Sequence, residues 1–120
     1  AEPLMPSPLA AILIGAVGGV IVVYGTKLLF SLKIDDVVGA IPAHLFAGIW
    51  GTLAVPITNP DTAFGTQLIG VLSINIFVFV AALIIWSIMK ATIGIRLSKE
   101  GETKGTDVTE TGVIAYAIRD

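Results

Sequence analysis

The chain has 120 residues, 55% of them hydrophobic and only 13% charged, with a mean hydropathy of +0.93. A soluble domain is about 25% charged, so this composition is that of a membrane protein. A formal charge of −2, with no basic patch interleaved with aromatics, excludes nucleic acid as a partner, and the absence of cysteine excludes disulfides and thiolate metal sites.

Residues 1–8 hold three prolines and a single charge, Glu2, and read as a loop entering a helix. They lack the basic start of a signal peptide. Residues 9–26 then run for 18 positions without a charge, and the span extends to about residue 30 if Lys27 snorkels. Ala11, Gly15 and Gly19 form a small-residue row at four-residue spacing, which predicts close approach of another helix on that face. No phosphate-loop or dinucleotide motif accompanies these glycines.

Residues 27–36 form a connector with two lysines and two aspartates. Asp36 is a candidate N-cap for a second helix over about 37–55, and Asp35 and Asp36 suit a helix N-terminus electrostatically. A direct functional role for them is the alternative to capping. The stretch DDVVGAIPAHLFAGIWGT (35–52) organises the chain. It contains His44, the only histidine, within a run free of Asp, Glu, Lys and Arg from 37 to 60. An ionisable ring in an apolar helix of membrane length is a functional-site candidate, because a buried polar group without a task is costly. Two small-residue rows flank it: Gly39, Ala43, Ala47 and Gly51, and Ala40, His44, Gly48 and Thr52. The first predicts close packing, and the second a narrow passage beside the imidazole with Ala40 and Gly48 one turn either side. A histidine hydrogen-bonded between helices is the competing reading. Pro42 is expected inside this helix, bending it about one turn before His44.

Residues 56–61 (PITNPD) predict a turn, and residues 62–89 are 28 positions without a formal charge, giving a third helix over about 62–92. At about 1.5 Å per residue it outruns a hydrocarbon core of about 30 Å, so it must tilt or protrude. Gln67 and Asn75 lie within it, as interhelical glue or as ligand contacts, and Trp86 is an interfacial anchor. Residues 93–120 form a polar tail rich in charge and glycine.

Positive charge falls on the connector (Lys27, Lys33) and beyond the third helix (Lys90, Arg96, Lys99, Lys104), while the turn at 56–61 carries none. The positive-inside rule then puts residues 1–8 and 56–61 outside and the tail in the cytoplasm, in a multi-pass protein of the plasma or inner membrane. Three helices do not bury all their small-residue faces among themselves, so partner helices are expected.

Three stretches, taken together, resemble the ammonium transporter family (Amt/MEP/Rh). PSPLAAILIGAVGG (6–19) resembles its ninth helix, DDVVGAIPAHLFAGIWGT (35–52) its tenth, and GTDVTETGVIAY (105–116) its cytoplasmic tail motif; the resemblance covers 8–120. It implies an all-α membrane protein whose three transmembrane helices are the C-terminal part of a larger, about eleven-helix, bundle. It implies ammonium/ammonia as substrate, with His44 the second histidine of a pore pair, the remaining helices of the transporter and the lipid bilayer as surroundings, and a homotrimer with one pore per protomer. It further implies that ammonium is taken up outside, loses its proton and passes as ammonia. The resemblance also implies a regulatory tail, here Gly105, Asp107, Thr109, Gly112 and Tyr116, with a PII-type regulator as cytoplasmic partner and Thr109 at the position of a phosphorylation switch in plant members. The chain departs from the pattern at Leu45, where Gly is usual, at Pro42, often Gly, and at Thr111, usually His.

No cofactor or metal is expected. An intramembrane enzyme is a poor reading, since there is no HExxH, no GxSxG and no pair of intramembrane carboxylates. The reading to set against a transporter is a membrane-embedded regulatory or ammonium-sensing module whose tail engages a signalling partner.

Overall fold

A computed structural model describes residue 2 and residues 4–114. Among these the chain is all-helical. It comprises α1 (Pro8–Ser31), a π-helical turn (Ile41–Phe46) that runs into α2 (Ala47–Leu53), the short α3 (Val55–Thr58), α4 (Phe64–Thr92), α5 (Lys99–Lys104) and a second π-helical turn (Asp107–Thr111). Three helical stretches are long and apolar enough to cross a membrane, Pro8–Ser31, Ile41–Thr58 and Phe64–Thr92, with mean hydropathies of 2.2, 1.3 and 2.8. The chain divides into two compact units, residues 1–77 and 78–120.

The ends of α1 are set by local chemistry. The Ser7 hydroxyl accepts the Ala10 N–H at 3.2 Å, and Pro8 occupies the first turn, where its missing N–H costs nothing. At the other end Lys33 turns left-handed at φ 56, its N–H donates to the Phe30 carbonyl, and the Ile34 N–H donates to Leu29. This pair of bonds is a Schellman closure, formed here without glycine. Ile34 and Leu29 line one small hollow with Pro42, so the closure has its apolar contact as well.

The second span starts later than its charge pattern suggests. Gly39 is left-handed at φ 69, and the helix begins after it. The Asp36 carboxylate accepts the N–H groups of Ala40 and Ile41, both at 2.8 Å, so it caps the helix from upstream of the turn. Pro42 consequently lies in the first turn and not in the interior. The expected mid-helix bend is replaced by a start: a proline there removes a donor that has no helical partner anyway. Pro42 is fully buried.

What buries it is α1. A Cβ on Gly25 would lie 2.7 Å from Phe46 Cδ2 and 3.0 Å from Pro42 Cβ, so only glycine lets the two helices approach here. Higher up, the Trp50 indole N–H donates to the Ile14 carbonyl at 3.0 Å, and its ring edge lies 3.8 Å from where a Gly18 Cβ would stand. The close contacts thus fall at Gly25 and Gly18 and not along the Ala11, Gly15, Gly19 row. Gly15 and Gly19 have nothing within 4 Å of a Cβ position. The other expected packing row loses Gly39 to the left-handed turn, and Gly51 likewise meets nothing within 4 Å.

Between the second and third spans, Asn59 holds the turn. It is buried, its side-chain oxygen accepts the Asp61 N–H at 2.9 Å, and its amide donates to Glu2 at 3.1 Å. In the second unit, α4 ends with Ile93 and Gly94 both donating to the Met89 carbonyl, Gly94 at φ 74. Ser98 then caps α5 by accepting the Gly101 N–H at 3.1 Å.

Candidate functional site

His44 sits in the middle of the π-helical turn. Five-residue hydrogen bonding replaces the four-residue pattern there, as in the bond from the Ala47 N–H to the Pro42 carbonyl. Such turns cluster at functional positions because they shift side chains off the regular helical face. The shift has a direct consequence for the expected row. His44, Gly48 and Thr52 line one groove, whereas Ala40, one turn earlier, does not. Ala40 instead spends its N–H on the Asp36 cap.

The groove lies within the first unit and holds about 300 Å³. Its other wall is the early part of α4, including Gln67, Gly70, Val71 and Asn75. Of its lining residues Val71 is buried, and His44 is exposed. The lining is apolar apart from His44, Thr52, Gln67 and Asn75. Thr52 donates to the Gly48 carbonyl at 3.0 Å and Asn75 to the Val71 carbonyl at 2.8 Å, each within its own helix. Among the described residues, the His44 and Gln67 side chains have no hydrogen-bond partner. A neutral imidazole offers one donor and one acceptor, so this groove can relay a proton or pass hydrogen bonds to a small polar solute. Gln67 and Asn75 line the same groove as the histidine; their signal in the sequence is an amide in an otherwise apolar helix, which fits glue as well as a site.

Asp35 and Asp36 are apart from this groove. Asp36 works as the cap described above. Asp35 is exposed and borders an open hollow with Lys33 and Val37. Among the described residues no cluster of three or more His, Cys, Asp or Glu could hold a metal ion.

In the second unit the tail residues form a small clasp. The Thr109 hydroxyl lies 2.9 Å from the Gly105 carbonyl and 3.3 Å from the Gly101 carbonyl, tying the second π-helical turn to α5. Its methyl would be 3.1 Å from a Cβ on buried Gly101. Gly105 has a positive φ of 101, with Asp107 Oδ1 only 2.6 Å from its Cβ position, and Gly112, left-handed at φ 70, ends the turn. Arg96 Nε donates to Glu102 Oε1 at 2.7 Å. That hydrogen bond, reinforced by the opposite charge, lowers the Glu102 pKa and raises that of Arg96. Both groups are exposed, so water screens the pair. Tyr116 lies outside the described residues.

The sequence model of the Ammonium Transporter Family matches residues 4–116. A Synechocystis relative is 40% identical over 105 residues, covering 86% of this chain and 24% of its own length. The chain is also similar to ammonium transporter Amt1 of Haloferax mediterranei, 36% identical with 88% of this chain and 21% of that protein covered. Ammonium transporter Amt2 of Archaeoglobus fulgidus is 33% identical, with 91% and 28% covered. This chain therefore spans about a quarter of the length of these relatives. No solved structure matches it.

Proposed function

The chain belongs to the ammonium transporter family, and from that premise we propose that it carries the His44 side of a membrane conduit for ammonium or ammonia. The observation that supports this most is that the lone histidine of an apolar, family-matched span opens onto a groove between two such spans. A hydrated cation is costly to bring into hydrocarbon, whereas neutral ammonia is not. A neutral imidazole beside the path accepts an N–H on one nitrogen and donates on the other, so solute or proton moves past it without a buried net charge. A partner histidine from another helix completes the pair in this reading, with Gly48 leaving room beside the ring. The remaining helices of the transporter cover the outward apolar faces, and three copies assemble, each with its own path.

The same reading makes the tail a regulatory segment on the cytoplasmic side, built on Gly105, Asp107, Thr109, Gly112 and Tyr116, and open to a PII-type partner. The cation-rich flanks of the first and third spans support that orientation.

The test is flux. Full-length protein in liposomes loaded with a pH-sensitive dye, given an ammonium pulse, is expected to show a saturable response above empty liposomes. A response equal to that of empty liposomes contradicts transport.

A further inference from the structure

Among the described residues no hydrogen bond holds the His44 ring, so its direction is set by the rotation of the span that carries it. That span presents two rows at four-residue spacing. Pro42, Phe46 and Trp50 meet α1, the first two at Gly25 and the third at Gly18 and Ile14. His44, Gly48 and Thr52 line the groove. Residues two apart on an α-helix point about 200° apart, so the two rows are opposite faces wherever the bonding is α-helical. Whatever holds one face therefore aims the other.

The turn that carries His44 is not α-helical. The Ala47 N–H reaches back five residues to the Pro42 carbonyl. Restored to four-residue bonding, the turn would need one residue fewer, and everything beyond it would advance by about 100°. The upstream end is held against that rotation by Asp36, whose two oxygens take the Ala40 and Ile41 N–H groups. Downstream the resisting contact is the half-buried Trp50, whose indole N–H donates to the Ile14 carbonyl at 3.0 Å. Among the described residues it is the one hydrogen bond that joins α1 to the second span. The advance would carry the indole off Ile14 and turn Gly48 and Thr52 out of line with His44.

We infer that Trp50 is a positioning residue for His44. Its bond to α1 holds the π-helical turn in place and keeps the imidazole in line with Gly48 and Thr52, from the opposite face of the same span. The inference rests on the proposed role of His44 beside the path and adds the residue that aims it. Packing of the ring near Gly18 is the rival hold, and it has a different signature, since a ring without an N–H still packs.

The experiment compares Trp50→Phe, which keeps a ring and loses the donor, with Trp50→Gln, which keeps a donor and loses the ring. Both are made in full-length protein at matched surface expression, beside His44→Glu. The ratio of ammonium to potassium flux is read for each. Trp50→Phe is expected to lower it about fivefold, the worth of about one hydrogen bond, while Trp50→Gln stays within about twofold of the parent. A loss in Trp50→Gln with Trp50→Phe intact assigns the hold to packing and overturns the inference. A loss in both, or in neither, overturns it as well. A second readout does not depend on flux. Amide exchange over residues 41–47 is expected to quicken about fivefold in Trp50→Phe and to stay near the parent in Trp50→Gln. If His44→Glu leaves selectivity unchanged, the histidine reading fails and exchange alone decides the role of Trp50. Quickened exchange in Trp50→Phe then upholds its grip on the turn, and unchanged exchange removes it. If His44→Glu alters selectivity while both readouts of Trp50→Phe match the parent, this inference fails and the histidine reading stands.

Discussion

Gly25 has no room for a side chain. A methyl there would meet Phe46 Cδ2 at 2.7 Å and Pro42 Cβ at 3.0 Å, and Pro42 is fully buried with nowhere to move. Overpacking of this kind costs about 1–3 kcal/mol. Gly25→Ala is therefore expected to lower the thermal midpoint of detergent-solubilised full-length protein. Gly18→Ala is the matched control, because its added methyl makes an ordinary 3.8 Å contact with Trp50. Equal falls for the two variants would contradict the packing account. Asp36 acts on the same scale: its two oxygens each take a backbone N–H at the start of the second span, so it caps that span.

At the scale of elements, the two π-helical turns carry the two candidate residues, one around His44 and one around Thr109. The second turn yields a prediction. Thr109→Asp removes the hydroxyl donor and sets a carboxylate beside the Gly101 and Gly105 carbonyls, as phosphorylation would do with about −1.5 to −2 charges. Amide exchange over residues 101–111 is expected to quicken about fivefold or more in Thr109→Asp, the worth of about one hydrogen bond. Thr109→Ser, which keeps the donor, should stay near the parent. Equal protection in all three would make the hydroxyl bond incidental.

The elements themselves were largely legible. Charge-free runs mark spans whatever their packing, because hydrocarbon excludes charge over a fixed length. The helical start at Ala40 was not legible. It depends on Gly39 adopting a left-handed turn and on a carboxylate reaching four and five residues forward, and neither leaves a periodic trace. For the same reason Ala40 read as a neighbour of His44, since four-residue spacing assumes an α-helix and the chain forms a π-helical turn there. The contacts at Gly25 and Gly18 are tertiary, set by where Phe46 and Trp50 arrive. A row of small residues says that a close approach is allowed, not where it happens. Of the site, His44 stood out as a single ionisable ring in an apolar span. The groove wall from α4 did not, because an amide in a membrane helix serves packing equally well.

For the molecule as a whole, the decisive feature is how little of its apolar surface is covered. Among the described residues the buried apolar side chains are few, Leu29, Ala54, Val55 and Val71 with Pro42, while most large hydrophobics of α1 and α4 face outward. A helix that is apolar all round needs lipid or other helices against it. The 120-residue chain alone, reconstituted in liposomes, is therefore expected to give no saturable ammonium flux above empty liposomes; a flux that depends on His44 would contradict this.

The most direct test of the account is the ratio of ammonium to potassium flux in full-length protein carrying His44→Glu, against the parent at matched surface expression. A carboxylate in the groove attracts any small cation, which a neutral imidazole does not. The account predicts that the preference for ammonium over potassium collapses toward unity while the protein still reaches the membrane. A well-expressed variant with the parent's selectivity would contradict it.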